Sequence, residues 1–459
     1  MAPGPNETPI SQQRTPSLLQ IAMQVRAKGP LQFFMDQWRA QGDLPQLRMG
    51  RQRLLLVIHP EHVRHVLVTA RESFDKLQTW ESTRRLLLGD GLIASHGAQW
   101  RRQRRLMSSF FTPRSVEQYY SVMLAAAETT AKRWDSLAHV GQPVDMIAEM
   151  TRVTAWIILR SMFGMEISEE RLRSLQREVE ELIRFANDRE MQVLKAPLWA
   201  PLPRHRRYRR ARASVHAFID DVIATRRAEP QSSWPDDLLG RMMSVGDEEK
   251  GGEMSDLLVR DESLGIFVAG HETTARTLSF LWYALNENPD VSARLRSELD
   301  AVLPRDQSLT PEHLERLPYM DRTIREVLRL YPPAPAFPRD LITDQVLGSM
   351  RVPVGTFVLL FPYATHRHPE FWDDPERFDP DRFLPEREAD RHPCAYYPFG
   401  AGNRICLGNS FAMLEARILA ALLARRFSAR LVSGHRPQID ARGTLMVRNG
   451  LPMQISRRS

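Results

Sequence analysis

Hydrophobic residues recur at three- and four-residue spacing along most of the chain, the signature of helices that bury one face. The stretches 60–72, 97–109, 115–138, 143–163, 168–187 and 205–228 each carry such a stripe and are predicted as helices. A longer helix is expected over 255–287, where Asn288-Pro289 stops it, because proline lacks the amide hydrogen and clashes with the preceding turn. Further helices are expected at 290–301, 318–331 and 408–427. Ahead of them, QLRMG and RLLLVI within 44–57 read as two short strands around the turn residue Gly50.

Between 331 and 407 the texture changes. YPPAPAFPR, VPVGTFVLLFP and HPEFWDDPERFDPDRFLPE are punctuated by proline and rich in aromatics, which suits one strand pair and a long meander. An irregular stretch of that length usually serves a function. No repeat or linker divides the sequence, so the expected class is mainly α with a small β portion. Residues 1–15 read as a loose tail and 16–459 as a single domain. SLLQIAMQV, after the tail, is too short and too broken by glutamine to cross a membrane. No later stretch qualifies, so no transmembrane anchor is expected.

Composition adds little: 42% hydrophobic and 26% charged residues are ordinary for a globular protein. Two cysteines cannot build a disulfide framework, so a reducing, cytoplasmic setting is expected. The net charge of +7 admits nucleic acid or an acidic protein as partner, but 63 basic against 56 acidic residues is a modest excess. A nucleic-acid role would leave one cysteine unexplained, and none is expected.

That cysteine, Cys406, sits in FGAGNRICLG at 399–408. A thiolate serves as nucleophile, redox thiol, zinc ligand or axial ligand of haem iron. Zinc would need partner ligands at short spacing, and none is near; Cys394 is twelve residues away in a different setting. A nucleophile would need a histidine brought from elsewhere in the fold, which spacing alone does not exclude. Gly400, Gly402 and Gly408 permit a tight loop with close backbone approach to a flat ligand. Arg404 offers a fixed cation to an anionic group. Together they suit a thiolate held against a haem, with Arg404 on a propionate.

FGAGNRICLG resembles the haem-binding loop of the cytochrome P-450 family, with Phe399, Gly400, Gly402, Arg404, Cys406 and Gly408 at its defining positions. The resemblance implies the family fold, a helical prism enclosing haem b (iron protoporphyrin IX), with Cys406 as the axial iron ligand. Other segments agree in order from about residue 97 to 415. AGHETT at 269–274 is not the zinc motif HExxH, because residue 275 is Ala. Gly270 in mid-helix costs roughly 1 kcal/mol relative to alanine, so it needs a reason. Close packing is one; a local widening of the helix over a ligand is another. The resemblance places Glu272 and Thr273 on the acid and threonine that deliver protons to dioxygen, and gives His271 no role. Glu326 and Arg329 match a buried ExxR pair, joined by an arginine from the meander, here taken as Arg377 in DDPERFDPDRF. Trp100, Arg104 and, more weakly, Arg339 match propionate contacts.

The implied activity is haem-thiolate monooxygenation, in which a substrate, O2, two electrons and two protons give a hydroxylated product and water. An isomerase or peroxygenase, or a haem sensor without catalysis, are the alternatives; these have less use for Glu272 and Thr273. With only a short stretch after 427, no fused reductase is expected. Electrons are therefore expected from a separate acidic ferredoxin or flavodoxin-type partner, docking on Arg101, Arg102 and Arg105. By analogy 86–95, 185–203, 264–270, 334–337 and 445–446 line the pocket. They are largely apolar, which suggests a hydrophobic substrate such as a fatty acid, terpenoid or polyketide-like molecule.

Overall fold

The helix Asp256–Glu287 is the axis around which the computed structural model packs. Residues 18–49, 52–165, 167–190, 195–244, 246–247, 252–304 and 307–458 are described. The predicted tail 1–15 and the Gly50 turn lie outside the described residues. Ser255 caps the long helix by accepting the Leu258 amide, and Asn288-Pro289 ends it as expected. Its residues are buried on nearly every side, from Val259 to Leu285, so neighbouring helices surround it. The closest is Met146–Phe163. A Cβ built on Gly270 would meet Ile158 Cδ1 at 2.6 Å, so close packing is what this glycine permits. The helix stays α-helical through this turn, so of the two reasons offered for Gly270 the structure shows close packing and not widening.

Gly97–Ser108, Met146–Phe163, Glu169–Glu190, Pro203–Ala228, Pro289–Val302, Pro318–Leu330 and Asn409–Arg426 match predicted helices within a few residues. The predicted helix 115–138 is split into Pro113–Glu117 and Tyr120–Val140. Leu18–Lys28, Pro30–Gln41, Gln78–Thr83 and Leu238–Ser244 are helices the periodicity did not flag, none longer than 12 residues. The strands predicted in 44–57 are Gln46–Met49 and Gln52–Val57, an antiparallel pair. A five-stranded sheet grows from them: Phe357–Leu360 pairs parallel with Gln52–Val57, Leu54 opposite Phe357, then Phe337–Leu341 and Phe74–Asp75 follow antiparallel. The C-terminal strands Phe427–Leu431, Ile439–Arg442, Thr444–Val447 and Pro452–Arg457 were not anticipated. They matter, because the hairpin Ile439–Arg442/Thr444–Val447 reaches back to the long helix.

Candidate active site

Backbone geometry alone defines the cysteine loop. The Gly400 N–H donates to Tyr397 O at 2.9 Å, and the Cys406 N–H donates to Phe399 O at 2.8 Å, closing the loop on itself. Gly402 has φ 70° and its missing Cβ would lie 2.0 Å from Leu67 O, so no other residue fits there. The Gly408 amide lies close enough to the Cys406 sulfur to favour its thiolate form. Desolvation pushes the Cys406 thiol up, while this amide, Arg104 and Lys76 act in the opposite sense. Yet Cys406 is exposed, whereas Cys394 is buried and its thiol pushed up to about 11 by desolvation. A side chain both exposed and desolvated faces an opening walled by protein.

Cations gather at that opening. Arg104 donates to Ile405 O at 2.8 Å, inside the cysteine loop. Arg404 donates to Ser95 O at 3.1 Å, pairs with Asp75, and stacks 4.1 Å over the Trp100 ring. Arg339 is buried and pushed down to about 9 by desolvation and by Arg404. Lys76, which nothing in the sequence flagged, donates to Ile93 O at 2.6 Å. Desolvation, Arg339 and Arg404 hold it well below the ordinary lysine range. Against these four cations stand Asp75 and Asp340. Asp340 is already committed to the Leu77 amide and the Thr79 hydroxyl, both at 2.7 Å. Cations that depress one another mark a site short of negative charge.

On the long helix, Ala269 is exposed although its flanks from Val259 to Phe267 and from Thr274 onward are mostly buried. Thr273 Oγ1 donates to Ala269 O at 2.7 Å, at the rim of this exposed turn. Glu272 accepts from Thr444 Oγ1 at 2.6 Å and lies 3.4 Å from Arg276, so the C-terminal hairpin fixes its carboxylate. His271 is buried, its ring Nδ1 2.6 Å from Phe267 O, and it stacks on Phe267 at 4.7 Å. Both contacts lie within its own helix.

Glu326 and Arg329 pair as expected, but the arginine that joins them is a different one. Glu326 and Arg329 are fully buried and bidentate, Arg329 Nε to Oε2 at 2.7 Å and Nη2 to Oε1 at 2.8 Å. Arg329 also donates to the carbonyls of His366, Pro375 and Arg377. The third arginine is not Arg377, whose side chain is exposed and which offers only its carbonyl. It is Arg382, buried, with Nε 3.6 Å from Glu326 Oε1. A left-handed turn at Asp374 (φ 44°) aims a carbonyl at Arg382 from 2.8 Å, which seats that side chain. The brace reaches the cysteine loop through His366, whose ring meets Arg329 O at 3.3 Å and accepts from the Tyr397 amide at 3.0 Å. Tyr397 O in turn accepts from Gly400.

Among the segments expected to line the pocket, Leu86, Leu87, Phe185 and Leu445 are buried, while Ala336, Phe337 and Met446 are partly exposed; 191–194 lie outside the described residues. The segment after Leu88 is tied to the long helix by two acids. Asp261 accepts the Asp90 amide at 2.9 Å, and Glu262 accepts the Leu92 amide at 3.0 Å. Burial pushes Glu262 up to about 8. Arg101 and Arg105 are exposed on Gly97–Ser108, and Arg102 is half-buried. No described helix is long and apolar enough to cross a membrane.

A family profile described as Cytochrome P450 matches residues 11–456. The chain is similar to cyclooctatin synthase of Streptomyces melanosporofaciens, 36% identical over 90% of this chain and 89% of that protein. Pentalenene oxygenase of Streptomyces avermitilis is 34% identical over 85% of each. Human cytochrome P450 4F8 is 31% identical over 88% of this chain and 81% of its own length. The solved heme domain of cytochrome P450DA aligns with a TM-score of 0.85 at 28% identity, covering 94% of this chain and 93% of that one.

Proposed function

Because the chain belongs to the cytochrome P450 family, whose cofactor is haem b, we propose that it hydroxylates an apolar terpenoid-type molecule, with Cys406 as the iron ligand. One observation carries the placement of the cofactor: Lys76, Arg104, Arg339 and Arg404 converge beside Cys406 without enough carboxylates to match them. A macrocycle bearing two carboxylates suits that charge, and Trp100 under Arg404 suits its edge. Bound there, the haem supplies dioxygen activation under electron donation from a thiolate.

The chain's own groups do the rest. The Gly408 amide and the nearby Arg104 favour the thiolate form of Cys406 against the desolvation that opposes it. The Glu326–Arg329–Arg382 brace, through His366 and Tyr397, holds the loop so that the sulfur cannot swing away. Thr273 Oγ1, at the exposed turn, holds a proton it can pass into the opening once it releases Ala269 O. Glu272 Oε1 takes up protons for it, kept in place by the Thr444 hydroxyl. Electrons come from a separate ferredoxin or flavodoxin-type protein, docked near the exposed Arg101 and Arg105. The two unpaired cysteines suit a cytoplasmic setting.

Terpenoids are preferred over fatty acids because the Streptomyces relatives are named for cyclooctatin and pentalenene. The lining segments, which are largely apolar, fit such a skeleton. The test is a spin-state titration of the haem-loaded enzyme with cyclic terpene hydrocarbons and alcohols, beside fatty acids of similar size. Shifts with the terpenes, followed by hydroxylated product, are expected. Shifts confined to the fatty acids would overturn the substrate class, and absence of the long-wavelength Soret band after reduction under carbon monoxide would overturn Cys406 ligation.

A further inference from the structure

Around the exposed turn of Asp256–Glu287, alternate carbonyls each accept a side-chain hydrogen bond. Phe267 O takes one from the His271 ring at 2.6 Å, Ala269 O from Thr273 at 2.7 Å, and His271 O from Thr154 at 2.8 Å. Thr273 O takes one from Thr277 at 3.1 Å, and Ala275 O from Ser279 at 2.7 Å. The donors His271, Thr273, Thr277 and Ser279 belong to the helix itself and move with it. Thr154 does not: it stands on the neighbouring helix Met146–Phe163. It is fully buried, and one turn along the same face Ile158 fills the space that Gly270 leaves. The two side chains grip residues 270 and 271, immediately before Glu272 and Thr273. The Thr154 hydroxyl has nearer partners by sequence, Met150 O at 3.0 Å and Thr151 O at 3.3 Å, yet His271 O is the closest acceptor. A site sealed between two helices would take valine as readily, with no polar atom to satisfy. The hydroxyl therefore asks for a use.

We propose that Thr154 is a positioning residue for proton delivery: its hydroxyl pins His271 O from behind and so holds the Glu272–Thr273 pair at the opening. Residues two apart stand about 200° around a helix, so Ala269 and Thr273 lie on the side opposite His271. A hold on His271 O thus sets how far Thr273 Oγ1 and its acceptor, Ala269 O, stand into the opening. The pin is set in a firm support. Asp145 accepts the Ile147 amide at 3.1 Å, and the Met146 N–H donates to Leu451 O at 2.9 Å. Glu149 takes bonds from Arg133 at 2.8 Å and from the Trp134 indole at 3.2 Å. A side chain fixed on such a helix places its acceptor more sharply than a donor riding on the acceptor's own helix. The inference rests on the proposed function, in which Glu272 and Thr273 move protons.

The test compares Thr154→Ala with Thr154→Ser, which lose the same methyl and differ in the hydroxyl, beside Thr154→Val, which keeps the shape without it. Each haem-loaded enzyme receives electrons from a reconstituted chain and a cyclic terpene hydrocarbon that shifts the spin state. Hydrogen peroxide formed per hydroxylated product should rise at least about threefold in Thr154→Ala and Thr154→Val, and Thr154→Ser should recover most of the coupling. Haem content and the carbon monoxide band should be alike in all of them. With no substrate present, amide exchange over 271–275 should be faster in Thr154→Ala than in Thr154→Ser by at least about threefold. Equal exchange in those two variants would overturn the proposal. So would melting midpoints that differ while coupling stays at the wild-type value, the result a packing role predicts. Thr273→Ala is measured alongside to separate the two readings. If Thr273→Ala uncouples and Thr154→Ala does not, Thr154 alone loses its role. If Thr273→Ala itself couples like wild type, the proton role of Thr273 fails and the role of Thr154 fails with it.

Discussion

Behind Cys406 the buried polar groups are held several times over, whereas along the pocket-lining side they hang on single contacts. Glu326 receives two hydrogen bonds from Arg329, one from the Asp379 amide, and the approach of Arg382. Glu262, equally buried, meets one amide, that of Leu92. Thr273 meets one carbonyl. A sulfur that must sit at a fixed point needs an over-determined frame, and a charge there is tolerated because three hydrogen bonds and two arginines meet it. A surface that admits a molecule and delivers protons needs groups that can let go.

The sharpest break of this contrast is at the cysteines. In Cys406→Ser the long-wavelength carbon monoxide band should vanish, while Cys394→Ser should keep it, since Cys394 lies buried beneath the meander with its thiol pushed up to about 11. Next comes the brace. Arg329→Ala strands Glu326 in a fully buried site and should cost about 3–5 kcal/mol, read as lost haem incorporation and an early denaturant midpoint. Haem-replete Arg329→Ala protein with wild-type melting would remove the bracing role.

Glu262 should show the opposite behaviour. Its carboxyl is raised from 4.5 to about 8 by burial, so the native state binds a proton more tightly than the unfolded chain. Stability is therefore greatest below the unfolded value and is lost as pH rises through the folded one, by a few kcal/mol across that window. Asp261, Asp90, Arg260 and Arg84 are the charged groups around this acid and the segment it holds. Glu262→Gln keeps an acceptor for Leu92 and should flatten the dependence, gaining stability at about pH 9 while changing little at about pH 5. An unchanged pH profile in denaturant melts would show that Glu262 does not titrate in this range. A smaller effect separates two neighbours in the meander. Arg382→Ala should cost about 1–3 kcal/mol by removing the donor to Asp374 O and the cation nearest Glu326 after Arg329, and Arg377→Ala should stay within about 0.5 kcal/mol because only its carbonyl is used.

That last pair also shows how far the sequence could be read. Glu326, Arg329, Cys406, Gly402 and Arg404 were legible because their chemistry fixes both residue type and spacing. Arg377 and Arg382 are both followed by phenylalanine in DDPERFDPDRF, and only the left-handed Asp374 turn decides which one faces inward. Lys76 and Asp75 reach the site from an edge strand and the turn after it, far away in sequence and without any motif. Thr444 does the same from a C-terminal hairpin whose short strands carry little periodic signal. The long helices were legible from their stripes, while Leu18–Lys28 and Gln78–Thr83 bury too few residues to leave one. Pocket-lining residues were the least distinct, because Leu86 and Leu445 would look alike in a core and in a cavity wall.

The smallest expected effect bears most directly on function. If the Thr273 hydroxyl passes protons into the opening, Thr273→Ala should still incorporate haem and bind substrate, since its only described bond is to Ala269 O within its own helix. Losing one such helix-internal bond should change stability by no more than about 1 kcal/mol. The partition of electrons should change instead: more should leave as hydrogen peroxide and fewer as hydroxylated product, per reduced nicotinamide consumed by a reconstituted electron-transfer chain. Thr273→Ser, which restores the hydroxyl without the methyl, should recover much of the coupling. A purely packing role for Thr273 predicts no such order, with coupling equal to wild type in both variants. In that case the proton would have to reach the opening by a path that avoids Thr273, and Glu272, fixed on Thr444 one residue away, would lose its assigned role with it.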